Sequence, residues 1–495
     1  MTREDSAHDR VWLGIDLGTQ GARALAVSAG GQVVGSGQRP LVGTRAGDRH
    51  EQDPEYWWRA MTGACRDALE SLDQGRIRGV ATDSTSGTIL LLDGEGTAIT
   101  SGLMYDDARA VDQARRANEV GEALWGSLGY RMQPTWALPK LLWLLEHRSE
   151  LIAGARLSHQ CDYVNRRLVG SEVAADSSHA LKTGYDLIGE AWPETVLDRL
   201  GVPEGLLPPV VRSGSVLGEV GHEGAEETGV PAGTPVIAGM TDGCAAQIAA
   251  GALAEGSWSS VLGTTLALKG ASSKLIRDPN GVLYCHRSPD GGWLPGGASS
   301  VGAGILSATF PGADLDELGD RASQHEQTEV LAYPLASPGE RFPFYAPEAE
   351  GFMLGRPRED GERFAALLQG LAFVERLCLD YMDLLGAPAD GELSLTGGAT
   401  RGRYFTQLRA DVLGRPLRLV KNADPAAGMA VLAAAHERRL ADVAHEMVRM
   451  REVIEPRESR SGWFAERYVR LVGELEGRGW LEPAVADHAR GRASR

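Results

Sequence analysis

The chain has no apolar run long enough to span a bilayer, and residues 1–10 are polar and charged where an export signal would need an apolar core. Membrane insertion and secretion are therefore not expected, and the cytoplasm is the expected compartment. Cysteines are few, and the five present (Cys65, Cys161, Cys244, Cys285, Cys378) are scattered without a C-x-x-C pair. That spacing builds neither a metal cage nor a disulfide framework, so buried free thiols in a reducing compartment are expected. Positive charge is also in deficit: 50 Lys and Arg stand against 67 Asp and Glu, a net charge of -17. This argues against nucleic acid or an anionic membrane as a partner. It does not exclude a nucleotide, because a local site can oppose the global sign.

What is present is a globular composition, 43% hydrophobic and 24% charged, over 495 residues. That is too long for one ordinary core, so two domains are expected. Near the start, Val11, Leu13 and Ile15 alternate with Trp12 and Gly14, which reads as a buried strand closed by Asp16 and a Gly18-Thr19 turn. Residues 22–27 predict a second strand, 28–31 a hairpin turn and Val33-Val34 the opening of a third strand. A hairpin tip with bare Gly18 and Gly21 amides and the Thr19 hydroxyl suits a phosphate. An ordinary glycine turn gives the same pattern. Far downstream, Gly263-Thr264-Thr265 repeats strand, Gly-Thr turn, strand within residues 261–268. Two such loops suggest a duplicated α/β core gripping a nucleotide, with a boundary near residue 250.

Between these loops, residues 54–72 predict an amphipathic helix, 77–82 a strand, 83–88 a polar loop and 89–92 another strand. The charges of residues 105–109 are expected to form a surface ion pair, and 161–168 a helix. Residues 174–186 read as a polar loop containing Asp176, Ser177, His179 and Lys182. Asp242 follows the strand 235–238 and falls where an N-cap belongs, at the head of a small-residue helix that favours its charged form. Further on, the strand 393–396 runs into Gly397-Gly398-Ala399 and then a helix. Glycines at a strand end let a ring or sugar approach the backbone. A small-residue helix over 426–437 is suited to close packing.

Taken in order, these residues resemble the FGGY carbohydrate kinases. The resemblance runs from about Val11 to about residue 470. It is carried by Asp16-Leu17-Gly18-Thr19, by the W-x-D-x-R-like Tyr105-Asp106-Asp107-Ala108-Arg109, and by Asp162-Tyr163 with Arg167-Leu168-Val169-Gly170. Asp242 in Gly239-Met240-Thr241-Asp242-Gly243, Gly263-Thr264-Thr265, Gly351-Phe352-Met353-Leu354-Gly355 and Gly397-Gly398-Ala399 with Gln407, Asp411 and Gly414-Arg415-Pro416 complete it. Within the family the runs 83–88 and 180–186 look like the D-ribulokinase-like branch. Xylulokinases carry Met-His-Gly and glycerol kinases Gln-Arg-Glu where this chain has Thr85-Ser86-Gly87.

The resemblance implies a two-domain actin-like ATPase fold of the α/β, ribonuclease H-like class, duplicated, with the active site in the cleft between domains. The expected domains are 11–250 for the sugar and first phosphate loop, 251–470 for the nucleotide, and a charged tail over 471–495. The implied reaction is ATP-dependent phosphorylation of a terminal primary hydroxyl, with D-ribulose as the sugar. D-xylulose, a polyol or glycerol are the alternatives within the family. Asp242 would be the general base, and Asp16 would organise Mg²⁺ through its waters. Gly18, Thr19 and Gln20 with Gly263, Thr264 and Thr265 would cradle phosphates, and Gly397, Gly398 and Ala399 would line the adenosine pocket. Asp16, Ser86, Lys182 and Asp242 would face the substrate. A homodimer is the assembly the resemblance allows. The rival class is a nucleotide-driven interaction protein on the same superfold, which would have no use for the polar loops at 83–88, 105–109 and 176–186.

Overall fold

Why β1 occupies the centre of a sheet is plain from its composition: Val-Trp-Leu-Gly-Ile-Asp-Leu is buried along nearly its whole length, on both faces. In the computed structural model, which describes residues 9–494, packing separates two units. The first holds the chain up to Gly251 together with His286–Gly292 and Asn422–Arg449. Its main sheet contains β1 (Val11–Leu17), β2 (Gly21–Ser28), β3 (Val33–Pro40), β4 (Ile77–Ser84), β5 (Val216–Glu219) and β6 (Pro235–Ile237). The strand order is β5-β6-β4-β1-β2-β3. The helix Pro54–Leu69 buries Trp57, Trp58, Met61 and Cys65 in the core beside β1. Pro54 at its first turn and the Asp53 cap, which accepts from Glu55 N, fix where it starts.

The second unit holds Ala252–Cys285, Trp293–Lys421 and the chain from Met450. The strands β7 (Trp258–Leu262), β8 (Leu266–Gly270), β9 (Tyr284–Arg287), β10 (Trp293–Ser299), β11 (Leu393–Thr396), β12 (Leu417–Val420) and β13 (Met450–Ile454) form one sheet. Their order is β9-β10-β8-β7-β11-β12-β13. Pair for pair, β10-β8-β7-β11-β12-β13 repeats β3-β2-β1-β4-β6-β5: two antiparallel steps, two parallel steps, one antiparallel step. The duplication read from the two Gly-Thr hairpins is a duplication of the sheet. Only the outermost strand is reached in a different chain order, β5 before β6 but β13 after β12.

The packed units are not the contiguous ranges 11–250 and 251–470. The helix Pro425–Ala434 lies against β1 and against the helix Asp242–Ala249, inside the first unit. Its small side chains allow this. A Cβ on Gly14 would fall 1.7 Å from the Ala426 carbonyl oxygen, and one on Gly428 would fall 2.0 Å from that of Ala245. Residues beyond 470 are no separate tail: they complete the helix Glu458–Gly477 and form the helix Pro483–Ala493, which packs on Asp360–Leu384 in the second unit. All five cysteines are free and buried. Among the described residues no helix is long and apolar enough to cross a membrane.

Candidate active site

Parallel register brings Asp16 opposite Asp83 and Leu17 opposite Ser84 at the ends of β1 and β4. Ser84 in turn bridges to Thr241, the residue before the helix Asp242–Ala249. Asp83 and Ser84 thus belong to the strand, not to the polar loop expected over 83–88. Asp83 is fully buried, and neither of its carboxyl oxygens meets a partner in hydrogen-bond geometry. A fourth carboxylate joins from a distant part of the chain. Asp424 caps the helix Pro425–Ala434, accepts from Ala426 N at 3.1 Å and pairs with Arg23 of β2.

These acids perturb one another. Burial, then the Asp424 charge and that of Asp242, raise the Asp16 carboxyl to about 7, while Asp83 and Arg23 pull the other way. Asp83 is pushed well above the usual carboxylate range, first by burial and then by Asp16 and Asp242. One guanidinium does not balance four carboxyl groups. An orphaned buried carboxyl beside a partly protonated one is a donor set that a hard divalent cation would satisfy, directly or through water.

Asp242 is not the N-cap. Thr241 takes the cap position with extended φ and ψ, its carbonyl accepting from Cys244 N and Ala245 N, and Asp242 is the first helical residue. Its Oδ1 accepts from Gly243 N at 2.7 Å. The carboxylate therefore sits at the positive end of the helix without closing a capping bond of the usual reach.

At the first hairpin tip, Gly18 N donates to Gly21 O at 3.0 Å and Gln52 Nε2 donates to Thr19 O at 2.8 Å. Gln20 is exposed. Tyr105 stands over this tip. Burial and the Asp106 and Asp242 charges raise its hydroxyl, against the contact it makes with the Thr19 side chain. In the sequence Tyr105 only opens the charged, W-x-D-x-R-like run 105–109, with no role of its own. A surface ion pair is expected from that run, whereas Asp107 is fully buried. Asp107 accepts from His50 N at 2.8 Å and from Arg109 Nε at 2.8 Å and Nη2 at 2.6 Å. An ion pair so enclosed is a structural strut.

The turn after β4 is largely committed to the protein. Thr85 Oγ1 bonds Gln160 Oε1 at 2.7 Å and lies 2.6 Å from Thr88 Oγ1, and Ser84 Oγ lies 2.9 Å from His179 Nε2. Ser86 is different: among the described residues its hydroxyl has no partner. Its carbonyl accepts from Lys182 Nζ at 3.2 Å, and that ammonium lies 5.7 Å from the Trp136 ring centre. Residues 174–186 are not a loop. They form a buried turn of helix, Ser177–Ala180, running into a 3-10 turn, Leu181–Thr183.

In the second unit, β7 and β11 pair with Val261 opposite Thr396. The loops Gly263-Thr264-Thr265 and Gly397-Gly398-Ala399 consequently leave the sheet at one edge. Gly397 adopts φ +87° and a Cβ there would fall 2.8 Å from Leu262 O, so only glycine serves. Around Gly263 a Cβ would meet nothing within 4 Å, which leaves the loop open to a ligand. Ala303 N and Gly304 N brace this loop by donating to Gly263 O at 2.8 Å and Thr264 O at 3.2 Å. What sequence reasoning missed is Asp83 as a site residue, Asp424, Arg23 and Tyr105. For Asp424 the only local signal is Asp-Pro before an apolar run, which announces a helix start and nothing more.

A duplicated core of this topology, with acids at the strand ends of one copy and glycine loops at the strand ends of the other, is a two-domain actin-like ATPase fold. Residues 11–249 match the N-terminal domain and residues 259–437 the C-terminal domain of the FGGY family of carbohydrate kinases, and the chain belongs to that family. It is a phosphotransferase, an ATP-dependent sugar kinase. The xylulose kinase of Streptomyces coelicolor is 31% identical over 421 residues, covering 82% of this chain and 84% of that one. The crystal structure of xylulose kinase from Rhodospirillum rubrum superposes with a TM-score of 0.84 at 25% identity, over 94% of this chain and 99% of that one. Gluconate kinase from Lactobacillus acidophilus shares the fold at a TM-score of 0.86 and 20% identity, over 94% and 98%.

Proposed function

We propose that this kinase transfers the γ-phosphate of ATP to the terminal primary hydroxyl of D-ribulose, giving D-ribulose 5-phosphate. The observation that carries the sugar is the uncommitted Ser86 hydroxyl beside Lys182, in a turn whose other hydroxyls are already bonded inside the protein. A small donor next to an ammonium recognises sugar hydroxyls without the bulk of His or the charge of Arg-Glu. A site built on specific hydroxyls can reject the wrong epimer strongly, because a misfit leaves buried groups unpaired. The likeness of residues 83–88 and 180–186 to the D-ribulokinase-like branch supports the same sugar.

Asp242 accepts the proton of the attacking hydroxyl, a role typically worth about 10²–10⁴ in rate. Its place at a helix start sets the positive end of the helix dipole beside that carboxylate. Asp16 would hold Mg²⁺ through its waters, which would supply charge neutralisation at the phosphates. Gly18, Thr19 and Gln20 are the proposed phosphate contacts of the first hairpin tip, and Gly263, Thr264 and Thr265 those of the second. Gly397, Gly398 and Ala399 line the adenosine. The buried free thiols fit a reducing compartment, and the cytoplasm is the proposed location.

D-xylulose is the second reading, favoured by relatives named xylulose kinase at 30% and 31% identity. ADP release measured on D-ribulose, D-xylulose, gluconate and glycerol, with the product identified, separates the two. D-ribulose should give the highest kcat/KM, and a clear preference for D-xylulose would sink this assignment while leaving the kinase intact. Asp242→Asn should bind sugar and ATP yet lose turnover by at least about 10²-fold; retained turnover would remove Asp242 as the base.

A further inference from the structure

One turn of helix, Ser177–Ala180, carries a buried polar arrangement that phosphoryl transfer does not itself use. Asp176 caps it, Oδ1 accepting from Ser178 N and His179 N, each at 2.9 Å. Its Oδ2 lies 2.7 Å from His179 Nδ1. The opposite nitrogen, Nε2, reaches Ser84 Oγ at 2.9 Å and Ser84 O at 3.3 Å. Next door, Ser178 Oγ accepts from Thr241 N at 3.2 Å and lies 2.9 Å from His286 Nδ1. His179, Ser178 and Ser84 are fully buried.

We propose that His179 is a positioning residue for sugar binding, acting through Ser84, and that Ser178 is a positioning residue for Asp242, acting through Thr241. The connectivity is short. Ser84 ends β4, one residue after Asp83 and two before Ser86, and Thr241 immediately precedes Asp242. A single helical turn thus grips both the strand end that leads to the sugar turn and the junction that carries the base. Asp176 fixes the plane of the imidazole and leaves Nε2 aimed at Ser84, as an outer carboxylate orients a working histidine. Burial disfavours a charged ring, but the Asp176 and Asp162 carboxylates outweigh it and hold His179 above its ordinary pKa. Both ring nitrogens are thereby engaged, Nδ1 with Asp176 and Nε2 with Ser84. A misplacement of about 1 Å at a reacting group can cost about 10²-fold in rate, which is what this clamp prevents. A histidine that only fills the core would lower stability and leave the kinetic constants of the folded enzyme alone.

The proposal rests on the roles given above to Ser86 and Asp242, and glutamine and asparagine divide it cleanly. Gln places its amide nitrogen near Nε2 and keeps the bond to Ser84, whereas Asn keeps only the bond to Asp176. His179→Asn and His179→Ala should raise the KM of the best sugar by about tenfold or more with the KM of ATP held within about twofold, while His179→Gln stays within about threefold of the native enzyme. Ser178→Ala should lower kcat by about tenfold with little change in the sugar KM. Where His179→Ala folds poorly, Ser84→Ala deletes one oxygen and should raise the same sugar KM. The proposal is overturned if Gln and Asn behave alike, if both KM values move together, or if folded His179→Ala keeps native constants. Asp242→Asn is run alongside. If it turns over normally, the reading beneath this one has failed; if it is inactive while the His179 variants are unimpaired, only the positioning proposal has failed.

Discussion

Asp16 and Asp83 face each other across neighbouring parallel strands, one half-buried and one fully buried; burial raises both carboxyls, Asp424 and Asp242 add to the rise at Asp16, and Asp16 and Asp242 add to it at Asp83. An acid whose folded pKa lies above its ordinary value of 3.8 binds more protons in the folded state. Its stabilising contribution is therefore complete at low pH and is lost as pH rises from about 4 toward about 7. Asp83 is raised in the same direction, so urea unfolding should show Asp83→Asn gaining on the native protein as pH rises above the ordinary carboxylate range. Asn keeps the shape of this fully buried side chain, so Asp83→Asn should keep most of its turnover, and Asp16→Asn should lose it. Equal losses of turnover in the two variants would mean that Asp83 works as an anion.

Thr264 and Thr265 sit on a braced loop that is open around Gly263. Replacing both with Val removes two hydroxyls at nearly constant shape. Hydrogen bonds to charged groups contribute about 1.5–3 kcal/mol each, so the KM of ATP should rise at least about tenfold while the sugar KM holds. Steady-state kinetics with each substrate varied decides it; parallel losses for both would count against a phosphate role.

Gly14 tolerates no side chain, since its Cβ would fall 1.7 Å from the Ala426 carbonyl oxygen and 2.5 Å from Ala430 N. Gly14→Ala must push the helix Pro425–Ala434 off β1, and overpacking that forces a backbone shift typically costs about 1–3 kcal/mol, occasionally more. Denaturant melts should show that loss. A change below about 1 kcal/mol would mean the helix shifts freely.

Lys140 is fully buried, its Nζ donating to Met104 O at 2.7 Å and Leu103 O at 3.3 Å. Burial pulls its pKa from the ordinary 10.5 down to about 7, against the nearby Asp107. Between those values the unfolded chain binds more protons than the folded one, so this residue's contribution to stability rises with pH. The difference in unfolding free energy between the native protein and Lys140→Met should climb from pH about 7 to 10, by at most about 1.4 kcal/mol per pH unit. A flat difference would show that Lys140 keeps its ordinary pKa.

Local pattern determined a good deal by itself. Alternation in Val11–Ile15, the Gly-Thr turns and the spacing of apolar residues in 54–69 are short-range signals, and they led to both hairpins, to the duplication and to the family. Gly18, Thr19, Gly263, Gly397 and Asp242 could be placed at element ends for the same reason, since their neighbours define those ends; their roles remain those proposed above. Tertiary structure alone decided the acid cluster. Asp424 lies 401 residues from Arg23, and no local signal links them. Asp83 looked like a loop residue because a buried carboxyl inside a strand is costly unless acids and cations from elsewhere share its charge. His179 and Arg109 looked like surface polar groups until burial and their partners, Asp176 with Ser84 and Asp107 with Glu51, made them internal struts. Sequence reports what a residue can do with its neighbours in the chain; only packing reports which distant group removes the cost of burying it.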